Sequence, residues 1–262
     1  MPLAGPDISN AFRRRPDSVK VAAVIPAYNE EHRIAAVLRA LSASPDVDEV
    51  IVVNDGSTDN TYGAALAFAA GSPKTRAVQL PRNKGKGGAM RAGALLTDAD
   101  VLIFFDADLV GLTPQHIHDL LQPVCSGEAT MAMGIFQGGR WATDIAQHFS
   151  PGITGQRAIL RDVFLQIPDL DTVGYGIELA ITYYVRHHGL SDTNVILRGV
   201  THPMKEEKLG WVRGAISRTQ MYAQMARFRI SYEMHGRPPR QRRPKRRAKK
   251  EKRAPKEERA GE

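Results

Sequence analysis

Apolar runs the length of one strand alternate along this chain with stretches whose apolar positions recur every three or four residues. Val19 to Ala27 reads as a strand. A helix follows from Glu30 to Ala43, with Ile34, Val37, Leu38 and Leu41 on one face. Glu49 to Asn54 is the next strand, and Ser57 or Thr58 can cap a helix running to about Ala70. Arg76 to Leu80 is a short strand, Lys86 to Leu96 a helix, and Val101 to Asp106 a strand of five apolar residues ending in an acid. Farther on, Thr193 to Val200 reads as a strand. Glu206 to Ile230 can form a helix with Leu209, Val212, Ile216, Thr219, Ala223, Ala226 and Ile230 along one stripe. Strands that are apolar throughout, separated by amphipathic helices, imply an α/β fold with a mostly parallel sheet covered on both faces.

Ligands of such sheets bind beyond the carboxyl ends of the strands. Three of those ends carry polar clusters: Tyr28-Asn29-Glu30, Asn54-Asp55-Gly56 and Asp106-Ala107-Asp108. Residues two apart on an extended segment point the same way, so Asp106 and Asp108 face one small volume. Carboxylates that close repel unless a cation lies between them or one keeps its proton. Hard oxygen donors of this kind suit Mg²⁺ or Mn²⁺. The loop Arg82 to Gly88, RNKGKGG, opens a helix; its glycines, Lys84, Lys86 and the helix N-terminus favour an anion. The first strand runs into Pro26-Ala27-Tyr28-Asn29-Glu30 without G-x-G-x-x-G, which argues against a dinucleotide-dependent dehydrogenase. The phosphate-loop signature of kinases and ATPases is absent as well.

The 262 residues can bury one large core, and 42% hydrophobic with 24% charged residues is ordinary for a globular protein. The net charge of +8 is unevenly spread: Gly236 to Glu262 holds 13 Lys and Arg against 4 Glu, leaving 23 basic and 24 acidic residues elsewhere. The chain therefore divides into an N-terminal arm at 1–17, a folded body at 18–232 and a Pro-rich basic tail at 233–262, too polar to fold. The lone Cys125 fits a reducing compartment. No apolar run approaches a membrane span and the start lacks a signal-peptide core, so a cytoplasmic protein is expected. The tail could hold an anionic bilayer, which would make the protein peripheral, bind nucleic acid non-specifically, or only aid solubility.

VIPAYNEE, VVNDGSTDNT, RNKGKGGAMRAG and FFDADL, in this order, resemble the nucleotide-sugar domain of family 2 glycosyltransferases over about residues 19 to 135. The resemblance implies the GT-A fold and metal-assisted sugar transfer from a nucleoside diphosphate, UDP- or GDP-linked. Carried over by position, Pro26, Ala27, Tyr28 and Glu30 line the base and ribose, and Asp55 holds the base. Lys84 and Gly87 approach the base or phosphates, while Asp106 and Asp108 serve ribose and metal, Asp108 with a catalytic part. This divides the body into a nucleotide-sugar half, 18–135, and an acceptor half, 136–232.

Gly174-Tyr175-Gly176-Ile177-Glu178 looks like a segment of glucosyl-3-phosphoglycerate synthases, in which the Glu contacts the donor sugar. By that likeness Glu178 is catalytic, Ile153-Thr154-Gly155-Gln156 lies near the acceptor, and His202 is a metal ligand. Glu178 read on its own is equally a helix N-terminal acid favoured by the macrodipole. Polyprenyl-phosphate glycosyltransferases share the first half and can be this short, so the acceptor is a small phosphorylated molecule or a lipid phosphate. The Gln-x-x-Arg-Trp box of processive synthases is missing around Gly139-Arg140-Trp141. Asp144, Asp169 and Asp171 stand as equal possibilities for a general base. A nucleotidyltransferase is the competing class, though it expects a Gly-rich loop directly after the first strand. A homodimer is compatible with the chain.

Overall fold

The computed structural model describes residues 19–137, 154–171 and 176–202. The expected arm, the helix over 206–230, the basic tail, Asp144 and the Gly139-Arg140-Trp141 segment lie outside the described residues.

Seven strands form one sheet: Val21–Ala27 (β1), Glu49–Asn54 (β2), Thr75–Gln79 (β3), Val101–Phe104 (β4), Met131–Gln137 (β5), Arg157–Leu160 (β6) and Asp192–Arg198 (β7). The helices are Ile34–Ala43 (α1), Thr61–Ala70 (α2), Gly85–Ala94 (α3), Pro114–Cys125 (α4), Arg161–Gln166 (α5) and Ile177–His187 (α6). The sheet order is β3-β2-β1-β4-β6-β5-β7. β1, β2, β3 and β4 are parallel, β7 runs parallel to β5, and β6 is antiparallel to both its neighbours. The α/β expectation holds, with one reversed strand inside the sheet.

The core follows from the apolar runs. All of β1 except Pro26 is buried, as are all of β4 and the Val50 to Asn54 part of β2. Ile34, Val37, Leu38 and Leu41 of α1 are buried together, as their spacing predicts. Each such side chain contributes about 1.5–3 kcal/mol on leaving water.

Several boundaries shift by a residue or more from the sequence reading, and three of the shifts concern the site. β4 ends at Phe104, so Asp106 and Asp108 lie beyond the strand. α1 starts at Ile34 rather than Glu30, leaving 28–33 as a loop. α2 starts at Thr61 after Asn60, with neither Ser57 nor Thr58 as its cap. Those two residues instead bind the neighbouring loop: the Asn29 amide donates to Ser57 Oγ at 3.0 Å and the Thr58 amide to Asn29 Oδ1 at 2.8 Å. A tertiary partner outcompetes the local cap.

Strand order decides where chemistry can sit. The chain runs outward from β1 through β2 and β3, then returns to place β4 on the other side of β1. That reversal opens a crevice beyond the carboxyl ends of β1 and β4. Because β6 runs the other way, with Arg157 opposite Phe104, the residues leading into it arrive at the same end of the sheet.

Candidate active site

The crevice is walled on one side by the loops after β1 and β2, which are stitched together by side chain to backbone hydrogen bonds. Besides the Asn29 pair, the Glu30 amide donates to Thr61 Oγ1 at 2.7 Å and the Asn60 amide to Glu31 Oε2 at 2.7 Å. Asn29 adopts φ 57°, a left-handed conformation that Asn tolerates better than most residues. The turn presents Tyr28, which is exposed, beside the partly buried Pro26 and Glu30, with Ala27 buried beneath. Asp55 is buried, and its Oδ1 accepts the backbone N–H of Lys84 at 2.7 Å. Burial raises its carboxyl pKa, while the amides of Lys84 and Gly85 pull the other way. The Lys84 side chain is exposed at the rim.

Beyond β4 the two acids stand side by side, with Ala107 buried between them. Their side chains are 21% and 17% exposed, so both acids are partly buried. His202 joins them: Nδ1 lies 3.1 Å from Asp108 Oδ1 and Nε2 3.5 Å from Asp106 Oδ2. The histidine is delivered by the chain after β7. There Val110 and Thr201 exchange two backbone hydrogen bonds of 3.0 Å, and the imidazole rests edge-on to Phe136 at 5.1 Å. Burial works to lower the imidazole pKa, but Asp108 and Asp106 outweigh it and hold it above the ordinary value.

One ligand atom from each of Asp106, Asp108 and His202 falls within 4.8 Å of the others. Two carboxylates and an imidazole at such separations fit a divalent cation, and the oxygen-rich set favours Mg²⁺ or Mn²⁺. The structure thus brings together Asp106, Asp108 and His202, the last of them 94 residues along the chain from Asp108.

The floor of the crevice holds a network of charges. Lys86, read from the sequence as charge offered to an anion, is paired with protein carboxylates: Nζ lies 2.6 Å from Asp106 Oδ1 and 2.7 Å from Glu178 Oε1. Burial lowers the tendency of this amine to hold its proton, yet the two carboxylates outweigh it and raise its pKa. Asp106 is held below the usual carboxylate range, burial being overcome first by Lys86 and then by His202. Gly87 is buried, and a Cβ there would stand 2.0 Å from the Leu170 carbonyl oxygen, so the 168–171 loop closes against the start of α3. Asp169 and Asp171 are exposed on that loop.

Three residues leading into β6 and Arg157, its first residue, complete the floor. Gln156 Nε2 donates to Asp106 Oδ2 at 3.0 Å, and Thr154 Oγ1 donates to the Gly134 carbonyl at 2.6 Å. A Cβ on Gly155 would lie 2.6 Å from both Asp106 Oδ2 and Lys86 Nζ. Arg157 is fully buried, donating to the carbonyls of Glu178 and Thr154. Burial pulls its pKa down to about 10 against the pull of Glu178 and Asp106. Sequence reasoning missed Arg157, whose one signal was a charge opening an otherwise apolar run, RAIL.

Among the described residues no helix is long and apolar enough to cross a membrane. A dolichyl-phosphate beta-glucosyltransferase of Trichomonas vaginalis is 39% identical over 102 residues, 36% of this chain and 30% of that protein. The glucosyl-3-phosphoglycerate synthase of Mycobacterium tuberculosis is 34% identical over 120 residues, 44% of this chain and 37% of the relative. The chain thus matches about a third of the length of these curated relatives. A crystal structure of the M. tuberculosis synthase, in complex with Mn²⁺, UDP-glucose and phosphoglyceric acid, superposes with a TM-score of 0.60 at 26% identity. That likeness covers 85% of this chain and 82% of the other, and it carries the GT-A sheet and its helices. The model of the family described as glycosyl transferase family 2 matches residues 22–176, from β1 through the acid pair to the start of α6, and the chain belongs to that family.

Proposed function

We propose that this protein transfers a sugar from a UDP- or GDP-linked donor to a phosphorylated acceptor, with Mg²⁺ or Mn²⁺ bound. The observation that carries the reading is the Asp106–Asp108–His202 cluster at the strand-order reversal, where a nucleotide's diphosphate would meet it. The cation would be held by Asp108 and His202 with Asp106 beside them. When bound, it neutralises the diphosphate and so favours its departure.

The protein's own groups divide the remaining work. Pro26, Ala27, Tyr28 and Glu30 line the base and ribose on the stitched loop, and the buried Asp55 takes the base edge. Lys84 stands at the rim, where its charge meets phosphate. Asp106 serves the ribose, and Gly87 keeps the start of α3 free of a side chain. Glu178, projecting from the first turn of α6, binds sugar hydroxyls and orients the anomeric carbon. Thr154, Gly155 and Gln156 border the acceptor side. The nucleotide-sugar half at 18–135 and acceptor half at 136–232 follow from this division.

The relatives point to two acceptors that share a phosphate, since the two proteins compared above are named for dolichyl phosphate and for phosphoglycerate. A small soluble acceptor is the first reading, because the described fold superposes on that of the synthase. The lipid-phosphate reading draws on the 39% identity to the dolichyl-phosphate enzyme and on the basic tail. It places a cytoplasmic protein at the membrane surface through 233–262. Released UDP or GDP, measured with phosphoglycerate or a short polyprenyl phosphate and each of several donor sugars, tests both. Release that depends on an acceptor and stops in chelator supports transfer; pyrophosphate release from a sugar phosphate and a nucleoside triphosphate would favour a nucleotidyltransferase.

A further inference from the structure

Lys86 joins three elements. It lies in the first turn of α3, Asp106 follows β4, and Glu178 is in the first turn of α6. The ammonium reaches both carboxylates at hydrogen-bond length, and all three side chains are mostly buried, at 27%, 21% and 14% exposure. Its surroundings leave it little choice of partner. Backbone alone, at Gly155, roofs the Lys86–Asp106 pair, since a Cβ there would meet both groups at 2.6 Å. Gln156 holds the other oxygen of Asp106. Arg157 fixes the Glu178 carbonyl from below at 3.2 Å, and the Thr182 hydroxyl donates to the same carbonyl at 2.9 Å.

Turning Lys86 towards a diphosphate would leave the partly buried Glu178 without its cation and Asp106 with His202 alone. Breaking a buried pair in that way is unfavourable, because the abandoned charges keep their desolvation cost. Left in place, the ammonium fixes the distance between a carboxylate of the cation cluster and the carboxylate that takes the sugar.

We propose that Lys86 is a positioning residue that acts through Glu178 and Asp106, holding the sugar subsite in register with the cation cluster, and does not bind the diphosphate itself. The proposal rests on the reading of the site as a sugar-nucleotide transferase. It assigns the lysine of the glycine loop a task different from the anion contact that the loop's composition suggests.

Calorimetry on the full chain with Mn²⁺ separates the two tasks, using UDP and UDP-glucose, or GDP and GDP-mannose if guanine is the base bound. Lys86→Met should bind the nucleoside diphosphate within about threefold of wild type while changing the affinity for the sugar nucleotide as Glu178→Gln does. The double variant should then add nothing to either single one, because residues acting as one unit are not additive. A loss of about tenfold or more in nucleoside diphosphate affinity, or additive losses in the double variant, would overturn the proposal. If Lys86→Met does not fold, the double variant, which removes one of the abandoned charges, is compared directly with Glu178→Gln. Equal affinities support the positioning role, and a further tenfold loss of diphosphate binding, on the order of a lost charged contact, overturns it. Wild-type protein that binds neither nucleotide with Mn²⁺ contradicts the transferase reading itself, whereas binding by wild type that is lost in Lys86→Met contradicts only the role of Lys86.

Discussion

Asp55 Oδ1 accepts the backbone N–H of Lys84 at 2.7 Å, so the acid at the end of β2 holds the glycine loop that leads into α3. One buried carboxylate thereby ties two walls of the crevice, and one of its oxygens is already committed.

Asp55→Ala is therefore expected to do more than remove a contact to the base. It leaves the Lys84 amide unpaired, at a cost of about 1–3 kcal/mol. Nucleotide affinity should fall by about tenfold or more, with turnover at saturating donor much less affected, since such a contact is made equally in ground and transition states. Asp55→Asn keeps an acceptor for the amide and should fall between Ala and wild type. Titration of the three proteins with UDP and GDP checks the ranking; an Asn variant as weak as Ala would leave the loop tie without importance.

Gly155→Ala is expected to disable the site from above. The added methyl would lie 2.6 Å from Asp106 Oδ2 and from Lys86 Nζ, so the ion pair or the strand must move. Overpacking of this kind costs about 1–3 kcal/mol, and the displaced groups are those to which the proposed function assigns donor binding. Thermal melting and initial rates measured together should show a modest loss of stability and a large loss of rate. Wild-type rates would mean that the pair tolerates displacement.

His202→Ala should raise the Mn²⁺ concentration for half-maximal activity by about tenfold or more, as loss of a ligand exceeds the usual effect of an outer partner. Asp108→Ala should abolish activity at any attainable Mn²⁺ while leaving the circular dichroism spectrum unchanged. A metal requirement unaltered in His202→Ala would return the imidazole to a purely structural role between its two carboxylates.

Away from the site, Cys125 gives an independent check on how α4 packs. Burial, reinforced by Asp46, Asp48 and Asp100, pushes its thiol up to about 11. The thiolate is the reactive form, so alkylation in the native protein should still be accelerating between pH 9 and 10. A rate that levels off near pH 9 would place the thiol in ordinary solvent.

The residues explain why parts of this architecture can be read directly and others cannot. Val21–Ala27, Glu49–Asn54 and Val101–Phe104 announce buried strands because each is almost wholly apolar, and Ile34, Val37, Leu38 and Leu41 announce one helix face by spacing alone. The Asp106–Asp108 pair is legible as two acids closing an apolar run, although they meet through the turn at 107–108 beyond β4 and not by alternation on extended chain. The link from Lys86 to Glu178 spans 92 residues, and nothing local to either signals the other. The reversal of β6 is likewise a matter of topology, not periodicity. Ser57 and Thr58 look like caps from their own neighbours, but Asn29 across the crevice wall, and for Ser57 also Asn54, takes up their hydrogen bonds.

The central claim is that the Asp106–Asp108–His202 cluster and the stitched loops together make a metal-assisted nucleoside diphosphate site. Calorimetric titration of the full chain with UDP and with GDP, each with Mn²⁺ and again in excess chelator, tests it most directly. The account predicts saturable one-to-one binding of one of the two nucleotides with Mn²⁺, much weakened by chelator and by Asp108→Ala. Absence of binding by both nucleotides in Mn²⁺, or binding equally tight in chelator, would contradict it.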